Sequence, residues 1–158
     1  MCISPISIRN PKYNSAKIRM EVPCGKCPEC LERRRADRSL RLSYESRRHI
    51  NSQFITLTYE DDFIVYGARS PTLVKADLQL FFKRLRKRLI DSKLKYYAIG
   101  EYGTNTYRPH YHVILFGLDY THVNRGILEK CWSKGFVKVG TVSRSSIHYC
   151  TKYHAFLS

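Results

Sequence analysis

The stretch Lys95-Tyr96-Tyr97-Ala98-Ile99-Gly100-Glu101-Tyr102-Gly103-Thr104-Asn105-Thr106-Tyr107-Arg108-Pro109-His110-Tyr111-His112-Val113-Ile114-Leu115-Phe116 holds two aromatic and β-branched runs around a turn-forming centre. Lys95 to Glu101 and Arg108 to Phe116 read as strands, and the short polar link at Gly103 to Thr106 makes an antiparallel hairpin the expected pairing. Working outward, Gln53 to Tyr59 is a further β-branched strand, ended by Glu60-Asp61-Asp62 and followed by a loop with Gly67 and Pro71. Leu73 to Ile90 sets Leu73, Asp77, Phe81, Leu85 and Leu89 at steps of four, beside Leu78 and Phe82, which predicts an amphipathic helix. Thr121 to Trp132 reads as a second helix, Phe136 to Val142 as a strand and Ser145 to Phe156 as a last helix, with Trp132 in the core. Strands that follow one another directly, rather than alternating with helices throughout, point to an α+β domain with a central antiparallel sheet flanked by helices, not a doubly wound parallel sheet.

Residues Met1 to Val22 show no sustained period. Pro23-Cys24-Gly25-Lys26-Cys27-Pro28-Glu29-Cys30 then packs three thiols between turn residues, and Leu31 to Ile50 continues as a helix carrying Arg33, Arg34, Arg35, Arg38, Arg41, Arg47 and Arg48 against Glu32, Asp37 and Glu45. The expected organisation is an N-terminal segment over residues 1–50, holding this cysteine knuckle and basic helix, and a core domain over 51–158.

The 158 residues carry 28 Lys and Arg against 13 Asp and Glu, a formal charge of +15. Nucleic acid is the default partner of such a field, with a ribosome-like structural binder or a membrane-surface protein as plainer alternatives. No apolar run approaches the ~20 residues of a membrane helix, and the first ten residues lack the layout of a signal peptide, so a cytoplasmic protein without a membrane partner is expected. Six cysteines, three clustered and Cys2, Cys131 and Cys150 scattered, suit reduced thiols better than a secreted disulfide framework.

A strand alternates faces, so His110 and His112 point the same way and can share one metal ion. The hairpin can bring Glu101 beside them, and two imidazoles with one carboxylate leave open positions suited to Mn, Fe, or Mg when phosphate oxygens complete the shell. Two unrelated sheet histidines and a solvated glutamate are the plainer reading. Tyr149, Lys152 and Tyr153 stand at i, i+3 and i+4 and share one helical face; the alternatives are core tyrosines or a pair of nucleophilic phenols with a cation. A phenol attacking a backbone phosphate would conserve the bond energy in a phosphotyrosine link, so the cut could be resealed. Cys24, Cys27 and Cys30 supply three soft ligands, and a structural Zn would want a fourth from Cys2, His49, Cys131 or Cys150. Tyr96, Tyr97 and Tyr107 could stack on unpaired bases or fill the sheet.

Phe54-Ile55-Thr56-Leu57-Thr58-Tyr59, Gly100-Glu101-Tyr102-Gly103, Arg108 to His112 and Tyr149-Cys150-Thr151-Lys152-Tyr153 resemble, in order, the motifs of rolling-circle replication initiators of the HUH endonuclease class. The similarity is greatest to the initiators of small single-stranded DNA phages, the Microviridae, in their gokushovirus branch, and it runs from Cys24 onward. The resemblance implies an HUH endonuclease-like fold, with His110, His112 and Glu101 as metal ligands, Tyr149 as first nucleophile, Tyr153 as second and Lys152 as accompanying cation. It further implies Mg2+ or Mn2+ as working metal, and single-stranded DNA at a replication origin as substrate, nicked to leave a 5′-phosphotyrosine and a 3′-hydroxyl primer. Arg33, Arg34, Arg35, Arg38, Arg41 and Arg108 would contact the DNA, in the cytoplasm of a bacterial host whose replication helicase and polymerase would be partners. Related initiators usually continue past such a final helix, so the chain is expected to be a short member or a fragment. A non-catalytic zinc-knuckle nucleic-acid-binding module, an HUH transposase or relaxase, and a non-haem iron oxygenase are the competing readings; the last leaves the charge and the Tyr149 face without a role.

Overall fold

The elements in chain order are β1 (Ile6–Arg9), β2 (Arg19–Val22), α1 (Pro28–Arg48), β3 (Ser52–Tyr59), β4 (Val65–Tyr66), β5 (Pro71–Thr72), α2 (Lys75–Arg88), β6 (Lys95–Tyr102), β7 (Pro109–Phe116), α3 (His122–Trp132), β8 (Gly135–Thr141), α4 (Arg144–Lys152) and β9 (Ala155–Phe156). They belong to a computed structural model that describes residues 1–68, 70–152 and 155–156. By its internal contacts the chain divides into two units, Met1–Leu40 and Arg41–Ser158.

In the second unit β7 is the centre of a five-stranded sheet of order β8-β3-β7-β6-β9, with every pairing antiparallel. Alternation along the strands gives the sheet two unlike faces. One carries Ile55, Leu57, Tyr59, Tyr111, Val113, Leu115 and Val137, closed by Leu78, Phe81, Phe82 and Leu85 of α2 and by Leu128, Cys131 and Trp132 of α3. Trp132 is 1% exposed, as the sequence predicts, and its indole Nε1 donates to the Thr58 carbonyl at 3.0 Å. The other face carries Ile99, Ile114 and Phe116, packed with Phe54 and Tyr97 and covered by Ile147 and Cys150 of α4 together with Leu42. Full burial of an aliphatic or aromatic side chain contributes about 1.5–3 kcal/mol, so the sheet is held from both sides. The structure is an α+β fold with a central antiparallel sheet flanked by helices and an N-terminal cysteine cluster.

The strand and helix spans expected from Gln53 to Val142 recur within a residue or two. Thr121 caps α3 by accepting from the Asn124 amide at 3.0 Å. Gly135 opens β8 at φ 149°, and a Cβ there would lie 2.2 Å from the Thr58 carbonyl oxygen, so only glycine lets the two backbones approach. Two expectations need correction. The last helix, expected to reach Phe156, is described only to Lys152, and Ala155 and Phe156 are extended, paired with Ile99 and Ala98. The flank of β6 away from β7 offers backbone donors and acceptors that need partners, and an extended Ala-Phe pair supplies them. Residues 1–22, read as aperiodic, contain the β1–β2 ribbon (Ile6↔Val22 to Arg9↔Arg19). A ribbon that buries neither face imposes no alternation on its sequence.

Candidate metal and nucleophile site

The half of the second sheet face beyond Ile114 is polar. Register sets Glu101 opposite His110 across β6–β7, and Thr58 and Thr56 opposite His110 and His112 across β3–β7. One side-chain donor atom from each of Glu101, His110 and His112 lies within 4.8 Å of the others, an arrangement that could hold a metal ion. Glu101 Oε2 is 3.8 Å from His110 Nε2 and 3.5 Å from His112 Nε2. Both Nδ1 atoms are engaged elsewhere: that of His110 donates to the Arg108 carbonyl at 3.1 Å, and that of His112 lies 3.1 Å from Thr56 Oγ1. With Nδ1 so occupied, a neutral imidazole keeps its lone pair on Nε2, the side facing Glu101. Burial, with a smaller push from the neighbouring His110 and against the pull of Glu101, lowers the His112 pKa to about 4, so His112 is neutral at physiological pH. Its ring stacks on Phe54 at 5.3 Å and 7°.

Tyr149 enters this group from α4. Its phenol donates to Glu101 Oε2, and its ring stands edge-on to His112 at 5.2 Å. Ile147 and Cys150 beside it face the core and fix the rotation of the helix. Burial first, then the Glu101 charge, pushes the Cys150 thiol up to about 12, so it acts as an apolar plug. Lys152 is exposed in the last turn of α4. Tyr153, the expected second nucleophile, lies outside the described residues.

The remaining expected residues are placed as follows. Arg33, Arg34 and Arg41 are exposed on α1, whereas Arg35 and Arg38 are half-buried, with Arg35 Nη1 3.1 Å from Glu32 Oε2. Arg108 donates to the Tyr59 carbonyl at 2.6 Å and pairs with Asp61, so much of its hydrogen-bonding capacity ties strand ends together. Tyr96 stacks on Phe82 and Tyr97 packs in the second core cluster, so both fill the sheet, while Tyr107 is 65% exposed. The cysteine knuckle gains Cys2: the sulfurs of Cys2, Cys24, Cys27 and Cys30 lie within 4.8 Å of one another and could hold a metal ion. Hydrogen bonds from the Lys26 and Cys27 amides lower the Cys24 thiol to about 6. The other candidate fourth ligands are used elsewhere, His49 against Glu45 at 2.7 Å and Cys131 and Cys150 in the two cores.

Sequence reading missed Thr56 and Phe54 as neighbours of His112. The alternation of Gln53 to Tyr59 puts Phe54, Thr56 and Thr58 on one face, but only the β3–β7 register brings that face under the histidines. It also missed the network on the opposite face, where Tyr59 donates to Asp77 at 3.0 Å, lies 3.3 Å from the Tyr111 hydroxyl, and Lys134 approaches Asp77 at 3.4 Å.

Residues 52–155 match the family described as replication-associated protein ORF2. The chain belongs to this family. Among the family's curated relatives, the replication-associated protein ORF2 of Spiroplasma virus 4 is 33% identical over 150 residues, covering 84% of this chain and 47% of that protein. The replication-associated protein VP4 of Bdellovibrio phage phiMH2K is 29% identical over 184 residues, covering 98% of this chain and 57% of that protein. The chain thus spans about half the length of these curated relatives. A solved structure, the hypothetical protein ORF119 from Sulfolobus islandicus rod-shaped virus 1, is similar over 72% of this chain and 87% of that one, with a TM-score of 0.47 and 19% identity. Among the described residues no helix is long and apolar enough to cross a membrane.

Proposed function

We propose that this chain is a metal-dependent HUH endonuclease that nicks single-stranded DNA at a replication origin and stays joined to the 5′ end, initiating rolling-circle replication. The observation that carries the reading is the phenol of Tyr149 on the carboxylate of Glu101, within a cluster that also presents His110 and His112. A structural tyrosine has no need of a charged group shared with two imidazoles.

The donor set fits a divalent ion. Two Nε2 atoms with their Nδ1 partners already in place, and one carboxylate, form a face that would hold Mg2+ or Mn2+ with positions left for phosphate oxygens. When bound, such an ion polarises the scissile phosphate and steadies charge on its oxygens. Tyr149 Oη then forms a bond to phosphorus as the bond from phosphorus to the 3′ oxygen breaks. The proton given up by the phenol ends on that oxygen, leaving a 3′-hydroxyl primer and a 5′-phosphotyrosine. One phosphoester replaces another, so the 3′-hydroxyl can reverse the step and reseal the strand. Thr56, Phe54 and the Arg108 carbonyl hold the two imidazoles in orientation. Lys152, at the end of the same helix, would offset charge on the phosphate, and Tyr153 would serve a second transfer. The +15 charge, with Arg33, Arg34 and Arg41 exposed, supports binding to a phosphate backbone, and membership of a replication-associated family supports work in a bacterial host's cytoplasm beside its helicase and polymerase.

The test is to incubate the chain with Mn2+ and single-stranded oligonucleotides, including origin-like hairpins, and to look for a covalent protein–DNA band on a denaturing gel. The band is expected from wild type and absent from Tyr149→Phe and His110→Ala. Tight binding without a band across that substrate set would leave a non-catalytic binding module as the function.

A further inference from the structure

We propose that Cys2, Cys24, Cys27 and Cys30 hold one zinc ion in a closed four-thiolate site, and that the Met1–Leu40 unit takes its fold around that ion.

The first support is geometric. A tetrahedral ion with zinc–sulfur bonds of ~2.3 Å sets its sulfurs ~3.8 Å apart. Cys27 and Cys2 are 3.8 Å apart at sulfur, Cys24 and Cys30 4.0 Å, and all four thiols are free. An iron–sulfur cluster, several atoms across, would need its thiolates spread more widely than a single ion does. The second support is the cradle. The Lys26 and Cys27 amides donate to Cys24 Sγ at 3.4 and 3.3 Å, and the Cys24 amide donates to Cys2 Sγ at 3.3 Å. Such bonds stabilise sulfur as thiolate, the form a metal takes. Gly25 allows the turn that folds these amides back, at φ 73°.

The third support is what the unit lacks. Within Met1–Leu40 the buried residues are Cys27 and Cys30 and no others, while Ile6, Ile8, Ile18 and Met20 of the ribbon are exposed. A two-stranded ribbon is marginal in water, and a unit of ~40 residues usually needs a metal or disulfides. The thiols are the only interior this unit has. Cys2, 22 residues before Cys24, closes the loop that contains the whole ribbon, so ligation by Cys2 is what couples metal to the ribbon. The Arg41–Ser158 unit has its own apolar clusters and needs no such ion.

The inference is independent of nicking, and its test is a metal and exchange measurement on the full chain. Wild type, prepared under reducing conditions in a Mg2+ buffer, is expected to contain one tightly held zinc. Exchange into Co2+ should give the near-ultraviolet thiolate charge-transfer band and the tetrahedral visible bands of a sulfur-ligated site. Stripping the zinc should speed amide exchange in Ile6–Arg9 and Arg19–Val22 at least ten-fold while the strands β3, β6 and β7 stay protected. Cys2→Ser should lose zinc at least ten-fold more readily, and the core control Cys131→Ala should retain it. Absence of zinc, iron in its place, a cobalt spectrum without thiolate bands, or ribbon protection that is the same with and without zinc would each overturn the proposal. Because exchange is compared in one wild-type preparation with and without the ion, misfolding of a variant cannot mimic the result.

Discussion

Replacing Thr56 by valine tests whether the imidazole of His112 is oriented for a metal. The hydroxyl at 3.1 Å from Nδ1 is exchanged for a methyl of the same shape, at a position paired directly with His112 in the β3–β7 register. Loss of a hydrogen bond to a liganding imidazole typically lowers metal affinity 10–100-fold, which at 1.36 kcal/mol per decade is about 1.4–2.7 kcal/mol. The lower end is expected here, because Phe54 stacked at 5.3 Å and the edge of Tyr149 at 5.2 Å continue to hold the ring. Fold stability should move by less than about 1 kcal/mol, since valine suits a strand and the lost hydrogen bond contributes modestly. The assay is a Mn2+ titration read twice, by the paramagnetic signal of free ion and by yield of the covalent DNA adduct. Half-saturation should rise about ten-fold in both readouts with the plateau nearly preserved. Two results refute the reasoning: titration curves that superimpose on wild type, or a lost plateau with Mn2+ affinity unchanged.

Gly135→Ala should lower unfolding free energy by about 3 kcal/mol or more, because the new Cβ would sit 2.2 Å from the Thr58 oxygen inside the β3–β8 pairing; a urea titration reads it as a lower midpoint at constant slope. Trp132→Ala, at 1% exposure, should cost about 3–5 kcal/mol in the same assay, and a cost under 1 kcal/mol would mean that α3 is not seated on the sheet. Hydrogen bonds from Lys95 and His49, both at 2.7 Å, hold the Glu45 carboxyl below its ordinary range. A depressed folded pKa contributes stability above the unfolded value of ~4.3 that is lost as pH falls through the folded pKa. Wild type should therefore exceed Glu45→Gln in melting temperature at pH 7, and the gap should close below about pH 4.

Some of this was legible in residue order and some was not. His110, Tyr111 and His112 announce a strand whose faces differ, and Glu101 lies just across a short turn, so a local hairpin was enough to assemble the donor set. Tyr149 was recognisable as a helical residue, but its arrival at Glu101 depends on α4 crossing the sheet, a contact 48 residues away in sequence. Thr56 and Phe54 escaped for the same reason, since strand register between β3 and β7 spans more than fifty residues. Cys2 could be named only as one of four candidates, because spacing ranks neighbours and a loop of 22 residues can close on any of them. The end of α4 was misread because helical spacing at Tyr149, Lys152 and Tyr153 says nothing about the open flank of β6.

The helix that carries Tyr149 is nine residues long and is seated by Ile147 and Cys150 against Ile99, Ile114 and Leu42. Alignment of the phenol is thus delegated to a small greasy socket rather than to the polar groups around it. A random screen for chains that have lost adduct formation while remaining folded should be rich in substitutions at those five socket positions, none of which touches DNA or metal. Gentle heating should abolish adduct formation before the sheet melts.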